Sequence, residues 1–295
     1  MLRFGLSCFL LFSLCPLWRC GESSLETRLA PLAKAHKGKI AIAVKHLGTG
    51  EAYYLHADEP MPTASLIKLA VLMEVYTQAN EGNVKLTETL TLRKTDKVPG
   101  SGILTEHFSD GATFSLRDAV RLMIAVSDNT ATNLVLDRVG IRAVNERMKG
   151  WGYPDTRINH KVFRGDTTSV DPARSKKYGL GSTTAREMIG LLADLEAGKH
   201  FRPALKQAIL GHLKKCDDKD RFTRFLPDGT VVAHKTGSVS DVRTDAGIIY
   251  LDSGPVAVCV LTAQNEDTRW KPDNAGNVLC ARVAKEVYDY FAAKK

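Results

Sequence analysis

The residues with the clearest chemical potential are Ser65 and Lys68, which precede the apolar run 69–76. The run is longer than a typical strand and holds no Gly or Pro, which predicts a buried helix with Ser65 in its first turn. Residues three apart share one helix face, so Lys68 is expected beside Ser65. A buried lysine can lose its proton and then accept one from a hydroxyl, while the helix N-terminus favours an oxyanion. Ser65 is therefore the candidate nucleophile.

Two further motifs strengthen this interpretation. Ser-Asp-Asn at 127–129 stands between two predicted helices, and Lys-Thr-Gly at 235–237 ends a predicted strand. Taken alone, Ser-Asp-Asn indicates only a helix cap, and Lys-Thr-Gly indicates only the end of a strand. A serine three residues before a lysine is also common by chance. In this order and in these elements they match the set S-x-x-K, S-D-N and K-T-G. The chain thus resembles the class A serine β-lactamases and the penicillin-binding, D-alanyl-peptidase-like proteins over essentially its whole mature length.

The resemblance implies an acyl-transfer site without a cofactor or a metal. Ser65 would attack the amide carbonyl, Lys68 would take the hydroxyl proton directly or through water, and Ser127 would pass a proton to the departing nitrogen. The backbone N–H groups of Ser65 and Ser238 would bind the oxyanion. Asn129 would bind the acyl-amide side chain. The implied residues around the substrate carboxylate are Lys235, Thr236, Gly237, Ser238 and Arg243, the last with an exposed turn arginine as the alternative.

The sequence departs from class A β-lactamases in the loop that supplies their deacylating glutamate, T-R-x-D-R-x-E-x-x-L-N. In direct register with 156–166, Val162 takes the place of the glutamate and Asp166 that of the asparagine. A second register aligns 164–166 with R-x-E and makes Asp166 a shorter substitute. Asp166 is therefore the candidate base for deacylation, with a turn cap as the alternative. Acylation does not need this residue, but turnover does.

Composition and the N-terminus indicate an exported protein. The 295 residues carry a net charge of +8, and the basic residues are scattered, which argues against nucleic-acid binding. Residues 4–18 are almost entirely apolar, too short to span a bilayer and soon followed by polar residues. This predicts a cleaved signal peptide over 1–21, a secreted or periplasmic protein of bacterial type, and no membrane span. Cys20 could carry a lipid anchor, but the bulky Trp18 and Arg19 before it favour plain cleavage.

The remaining cysteines, Cys216, Cys259 and Cys280, are too few for a disulfide scaffold. Buried free thiols are the simpler interpretation, and a Cys259–Cys280 bridge is the alternative. No His or Cys spacing resembles a metal site.

Strands are predicted at both ends of the chain and helices in the middle. This predicts an α/β (α+β) fold, with one antiparallel sheet built from both ends (22–60 and 205–295), flanking helices and an inserted all-helical domain (61–204). The stretch 160–182 is expected to be irregular, and loops of this length in compact domains are usually functional or disordered. Predicted helices span 22–37, 65–79, 115–126, 128–138, 141–149, 184–197 and 275–293; predicted strands span 39–44, 51–55, 231–235, 246–251 and 255–261.

The main interpretation is an exported class A-type serine β-lactamase that hydrolyses the β-lactam amide through a Ser65 acyl-enzyme. One alternative is a related serine enzyme that acts on D-alanyl peptides or small esters and is inhibited by β-lactams. The other is a binding module that becomes acylated and stays so, as a sensor or sink. In each case we expect a monomer with a small-molecule β-lactam or D-alanyl peptide as its partner.

Overall fold

The computed structural model describes residues 24–294, so the predicted signal peptide and Cys20 lie outside the described residues. The strands are β1 (Lys39–His46), β2 (Ala52–Leu55), β3 (Met61–Pro62), β4 (Thr89–Thr91), β5 (Thr113–Ser115), β6 (Arg157–Ile158), β7 (Gly181–Thr183), β8 (Val232–Val239), β9 (Val242–Leu251) and β10 (Gly254–Ala263). The α-helices are α1 (Leu25–Ala35), α2 (Lys68–Glu81), α3 (Leu104–His107), α4 (Leu116–Ala125), α5 (Asn129–Val139), α6 (Ile141–Gly150), α7 (Gly165–Thr168), α8 (Pro172–Tyr178), α9 (Ala185–Ala197), α10 (Pro203–Leu213) and α11 (Ala275–Ala292). The 3₁₀-helices are Ala64–Ile67, Lys94–Asp96 and Phe222–Phe225.

Five strands from the two ends of the chain form one antiparallel sheet in the order β2-β1-β10-β9-β8. Strand β1 pairs with β10, with Ile42 opposite Val260. The predicted α/β fold with an antiparallel sheet built from both ends is therefore confirmed. Strand β8 lies at one edge of this sheet, and the 3₁₀-helix Ala64–Ile67 packs against it.

The sheet separates two apolar cores because side chains alternate between its faces. The face toward α9 carries many small side chains, such as Ala43 and Ala233. The face toward α1 and α11 carries larger ones, such as Ile42 and Val258. The small side chains let α9 lie close to the sheet. Helix α9 thus packs on the sheet although it lies within 61–204, the range predicted as the helical domain.

Helix α2 is enclosed by other helices. All of its residues from Lys68 to Thr77 are buried, because α4, α5, α6 and α10 contact it on several sides. A helix that is covered in this way needs apolar residues around most of its circumference, which explains the run 69–76. Its buried Glu74 is paired with Arg147 at 2.8 Å. The enclosed helix gives Lys68 a fixed position.

Several parts of the chain differ from the predicted elements. The range 61–204, predicted as an all-helical domain, also contains the short strands β3 to β7, which form a three-stranded sheet in the order β3-β7-β6 and a two-stranded sheet of β4 and β5, so the all-helical prediction is wrong. These strands are only two or three residues long, too short to give an alternating apolar pattern.

Helix α10 is absent from the prediction because only its second half is buried, so its apolar periodicity is short. The stretch 160–182, expected to be irregular, contains α7 and α8. Helix α8 begins where the Asp171 carboxylate accepts a hydrogen bond from the N–H of Arg174 at 3.0 Å, with Pro172 in the first turn. An aspartate followed by proline is a helix-start signal that the sequence does contain.

Within residues 24–294, no helix combines the length and apolar character needed to cross a membrane. Cys216, Cys259 and Cys280 are buried free thiols. Cys259 and Cys280 are therefore not joined by a disulfide in this structure.

Candidate active site

Ser65 lies in the 3₁₀-helix Ala64–Ile67, and Lys68 is the first residue of α2. The prediction placed Ser65 in the first α-helical turn; the tighter 3₁₀ turn instead aligns side chains that are three residues apart. The backbone enters this turn in a strained conformation, since Ala64 has a φ of 46°. Such strain is often found where a side chain is presented to a ligand.

Lys68 is fully buried, and its amine is surrounded by three oxygen atoms. Its Nζ lies 2.7 Å from the carbonyl oxygen of Ser127, 3.2 Å from Ser127 Oγ and 3.0 Å from Asn129 Oδ1. Burial and the nearby charge of Lys235 lower the pKa of Lys68 well below its usual value, although Asp128 opposes this shift. Nζ donates hydrogen bonds to all three oxygens, while burial beside Lys235 makes the neutral form of this amine easier to reach than at an exposed lysine.

The Ser-Asp-Asn turn is held in place by its aspartate. Ser127 has a φ of 55°, which is unusual for a residue with a Cβ atom. The buried Asp128 carboxylate accepts hydrogen bonds from the N–H groups of Ile103 at 2.7 Å and Leu104 at 2.9 Å. It also caps α5 through the N–H of Ala131 at 2.8 Å. The Asp128 carboxylate therefore both caps α5 and fixes the orientation of Ser127.

Strand β8 forms the opposite wall of the site, and Gly237 allows it to approach the serine turn. A Cβ atom at Gly237 would lie 2.2 Å from the carbonyl oxygen of Thr63 and 2.8 Å from the backbone nitrogen of Leu66. Only glycine fits this contact without a shift of the backbone. As a result Ser238 and Ser65 line the same cavity.

Lys235 lies behind this wall. It is fully buried, and its Nζ donates a hydrogen bond to the carbonyl oxygen of Thr236 at 2.8 Å. Burial lowers the pKa of Lys235. The lysine is thus a buried positive charge directly behind the cavity-lining Thr236.

Among the described residues the arginine that lines the cavity is Arg221, whereas the predicted Arg243 does not line it but contacts the lining residues Val239, Ser240 and Trp270. The buried Arg243 guanidinium donates to backbone carbonyls within 239–242 at 2.8–3.1 Å, so it holds the turn between β8 and β9. Arg221 donates through Nη2 to Ser238 Oγ, and its Nη1 lies 3.2 Å from Asp218 Oδ2. No local motif marks Arg221 in the sequence, because its position depends on how its loop packs against β8 and β9.

The cavity has a volume of about 650 Å³. Its polar side comes from predicted site residues, namely Ser65, Ser127, Asn129, Thr236 and Ser238. Its apolar side comes from Val162, Phe163, Leu180 and Trp270. A few convergent polar groups between apolar walls are the usual form of a small-molecule site.

The loop before α7 presents Val162 to this cavity. The N–H of Val162 donates to Asn133 Oδ1 at 2.8 Å, and its carbonyl accepts from Asn133 Nδ2 at 3.0 Å, so this backbone is fixed. Asp166 is exposed and lines a neighbouring cavity with Gly165 and Ser169. The structure therefore does not bring Asp166 into the cavity of the candidate nucleophile, and its role as a base stays a prediction.

A fold of this kind occurs in the proteins that the chain resembles. The sequence profile of the β-lactamase enzyme family matches residues 24–291, and the chain belongs to this family. It is 28% identical over 273 residues to a β-lactamase of Streptomyces fradiae, with 88% of this chain and 84% of that protein covered.

Two solved structures are similar to this chain over nearly its full length. A β-lactamase from Sphaerobacter thermophilus has a TM-score of 0.80 at 28% identity, covering 91% of this chain and 98% of that one. A mutant of PBP-A, solved as an acyl-enzyme complex with penicillin G, has a TM-score of 0.79 at 25% identity, covering 91% and 96%. The neighbours thus include both a β-lactamase and a protein solved with a bound penicillin.

Proposed function

We propose that this protein is a serine hydrolase of class A type that opens the amide of β-lactams through an acyl-enzyme on Ser65. The observation that carries the proposal is the buried contact of Lys68 Nζ with Ser127 and Asn129, beside a cavity that Ser65 lines. Membership of the β-lactamase enzyme family supports it. So does the acyl-enzyme of PBP-A with penicillin G.

The proposed acylation step uses three side chains. The Ser65 hydroxyl oxygen attacks the lactam carbonyl carbon, and its proton passes to neutral Lys68, directly or through water. The backbone N–H groups of Ser65 and Ser238 stabilise the oxyanion that forms. The carbon–nitrogen bond then breaks, and Ser127, hydrogen-bonded to Lys68, passes a proton to the departing nitrogen.

The carboxylate of the substrate binds at the β8 wall. Thr236 and Ser238 offer hydroxyl groups, and Arg221 offers the guanidinium that touches Ser238. Lys235 adds a positive charge from behind, although it does not line the cavity. Charge-assisted hydrogen bonds of this kind are stronger than neutral ones.

A second candidate function is favoured by Val162. In direct register with the class A loop it takes the place of the deacylating glutamate, and it lines the cavity with an apolar side chain. A site that acylates but deacylates slowly behaves as a penicillin-binding protein, with D-alanyl peptides or small esters as substrates, or as a stably acylated module. The two candidates share the first chemical step and differ in the second.

The deciding experiment measures both steps on the purified protein. A chromogenic cephalosporin is added in excess, and hydrolysis and intact mass are followed in the same sample. Steady hydrolysis with little adduct supports the β-lactamase. A persistent adduct with negligible hydrolysis supports the second candidate.

The matched control is Ser65→Ala, which removes one hydroxyl from the 3₁₀-helix. This variant is expected to fold normally and to show neither adduct nor hydrolysis. An adduct of the wild-type mass on Ser65→Ala would exclude Ser65 as the nucleophile and with it both candidates.

We also propose that the protein is exported, because residues 4–18 form an apolar segment of signal-peptide length. The mass of the mature protein after expression in a bacterial host tests this. Cleavage near residue 21 is expected, whereas an uncut chain contradicts export, and a diacylglyceryl group on Cys20 identifies a lipoprotein.

A further inference from the structure

One titratable side chain of the cavity has no part in the acylation step, namely His160 in the loop before α7. It is half-buried and lines the cavity of Ser65 and Ser127. It also lines the neighbouring cavity that contains Asp166. Its ring packs against Gly165, where a Cβ atom would lie 3.5–3.6 Å from three ring carbons. The imidazole therefore borders both cavities.

The backbone on either side of this imidazole is fixed by hydrogen bonds. Before it, the N–H of Asn159 donates to the carbonyl oxygen of Leu180 at 2.8 Å. After it, the N–H of Lys161 donates to Thr168 Oγ1 at 2.9 Å. The loop thus holds the ring in a defined place on the cavity wall, which a catalytic group needs.

The contacts of the ring select one tautomer of its neutral form. Nδ1 of His160 lies 2.8 Å from the carbonyl oxygen of Lys161, which can only accept a hydrogen bond, so Nδ1 carries the proton. Among the described residues, no hydrogen bond engages Nε2. The lone pair of Nε2 is therefore available to accept a proton.

Other bases near the cavity are less available. Among the described residues of its wall, the side chains that can act as a base at neutral pH are His160 and Asp218. The Asp218 carboxylate is already engaged: Oδ2 pairs with Arg221 Nη1 at 3.2 Å, and Oδ1 accepts from the N–H groups of Asp220 at 3.0 Å and Arg221 at 3.2 Å. Lys68 is fully buried and does not line the cavity. His160 is thus the group best placed to take a proton from water in the cavity.

We propose that His160 Nε2 is the base of deacylation, in place of the glutamate of class A β-lactamases; this inference rests on the proposed function. A water molecule attacks the acyl carbonyl carbon, and one of its protons passes to His160 Nε2 as the new carbon–oxygen bond forms. The backbone N–H groups of Ser65 and Ser238 stabilise the oxyanion, as in acylation.

The same imidazole completes the reaction. After it has taken the proton of water, both of its ring nitrogens carry a proton. The bond between the acyl carbon and Ser65 Oγ then breaks, and the Nε2–H of His160 gives its proton to Ser65 Oγ. The products are the opened acid and the free Ser65 hydroxyl, and His160 is neutral again. One water molecule is consumed in each cycle.

The first test compares the lifetime of the penicillin adduct in His160→Asn and in the control His56→Asn. Each protein is exposed briefly to penicillin G, free penicillin is removed, and the adduct is followed by intact mass, so the result does not depend on the acylation rate. At position 160, asparagine can still donate to the carbonyl of Lys161. At the exposed His56, with a φ of 47°, asparagine tolerates the backbone.

The adduct of His160→Asn is expected to last at least about tenfold longer than that of the wild type, with His56→Asn unchanged. Equal lifetimes in His160→Asn and the wild type would refute this role of His160. A wild-type adduct that persists without hydrolysis would also overturn it, while leaving acylation on Ser65 intact. Absence of both adduct and hydrolysis in the wild type would instead refute the proposed function.

The pH dependence of deacylation separates a base from a merely structural residue. Only the neutral imidazole has a lone pair on Nε2, so the wild-type decay rate should rise with pH between about pH 5 and pH 9 and then level off. His160→Asn should lose this acid limb. The charged groups that line the two cavities beside the ring are Asp166, Lys176, Asp218 and Arg221, and the variant keeps all four. An equally steep limb in His160→Asn would belong to another group and would overturn the proposal.

Imidazole in solution provides a direct check with His160→Ala. This variant removes the ring that packs against Gly165 and leaves space for a free imidazole molecule at the cavity wall. Imidazole in large excess is expected to shorten the adduct lifetime of His160→Ala several-fold and to leave that of the wild type unchanged. Circular dichroism verifies that the variant is folded. No shortening in folded His160→Ala would contradict the role of His160 as the base.

Discussion

The protonated form of Lys68 is disfavoured, because the side chain is fully buried and Lys235 lies nearby. Its partners are consistent with a neutral amine that exchanges protons with Ser127. The acylation rate should therefore depend on pH through Lys68.

We expect acylation to rise with pH along an acid limb and then to level off. Only neutral Lys68 accepts a proton, and its lowered pKa places the midpoint of this limb well below the ordinary lysine value of about 10.4. Rates of adduct formation by mass spectrometry from pH 5 to pH 10 measure this. Lys68→Arg, which stays charged, should acylate at least about a hundredfold more slowly at every pH. A wild-type rate that still rises steeply at pH 10 without levelling off would contradict the lowered pKa of Lys68.

Arg221 and Arg243 are expected to respond differently to substitution. Arg221→Ala should weaken capture of a carboxylate-bearing penicillin by about 2–4 kcal/mol more than capture of a neutral ester, because its guanidinium lines the cavity. Arg243→Ala should lower the free energy of unfolding and keep this discrimination, since Arg243 binds backbone carbonyls. Acylation rates with both substrates and urea denaturation measure the two effects. The reverse pattern would restore Arg243 as the carboxylate ligand.

At the scale of elements, the site is a junction of α2 with its preceding 3₁₀-helix, the Ser-Asp-Asn turn, strand β8 and the loop before α7. Each element is ordinary by itself: a buried helix, a capped helix start, an edge strand and a surface loop. Their contacts depend on close backbone approach at Gly237 and on the Asn133 side chain that holds Val162. Substitutions at these contacts should reduce the acylation rate more strongly than they reduce the free energy of unfolding.

Gly237→Ala should reduce acylation by about a hundredfold or more. The new methyl group would meet the carbonyl oxygen of Thr63 and must push β8 away from the serine turn, which separates the oxyanion donors. The matched control is Gly211→Ala in α10, where a Cβ atom meets nothing within 4 Å; it should stabilise the protein by about 0.5–1 kcal/mol. Normal acylation by Gly237→Ala would show that the close approach is unimportant for the chemistry.

Val162→Glu should shorten the lifetime of the acyl-enzyme by about tenfold or more. A carboxylate at this fixed, cavity-lining position can accept a proton from water. Asp166→Asn should leave the lifetime unchanged, because Asp166 is exposed and lines another cavity. Decay of the adduct mass after removal of free penicillin G measures both. A longer lifetime in Asp166→Asn would identify Asp166 as the base.

At the scale of the whole molecule, the sheet divides the protein into a side that carries the candidate active site and a supporting side. The candidate active-site cavity lies where the serine turn meets the edge strand β8, and the core between the sheet and helices α1 and α11 lies on the other face. Substitutions in this core should therefore lower the free energy of unfolding without changing the acylation rate.

Leu29→Ala tests this separation. Leu29 is fully buried in the core beside α11, so its truncation should lower the free energy of unfolding by about 2–5 kcal/mol. The acylation rate per folded molecule should stay within about twofold of the wild type. Urea denaturation and adduct formation at equal folded concentration measure the two quantities. A parallel loss of acylation would mean that the two faces of the sheet are coupled.

Several features followed from the sequence because they depend on local pattern. The apolar run 69–76 is typical of an enclosed helix, Asp128 had the position of a cap, and apolar strands at both ends predicted the confirmed sheet. The order of the three short motifs also identified the family. Residue types and spacing along the chain determine all of these, since each depends on neighbours a few residues away.

Other features were decided only by the tertiary structure. Arg221 and not Arg243 lines the cavity, and Val162 and not Asp166 faces it. These positions depend on how loops pack against β8 and on the pairing of β8 with β9. No spacing rule connects residues on separate elements, because their distance is set by packing and strand register. The sequence therefore determined the chemical groups and the fold that holds them, while long-range packing decided which of these groups meet.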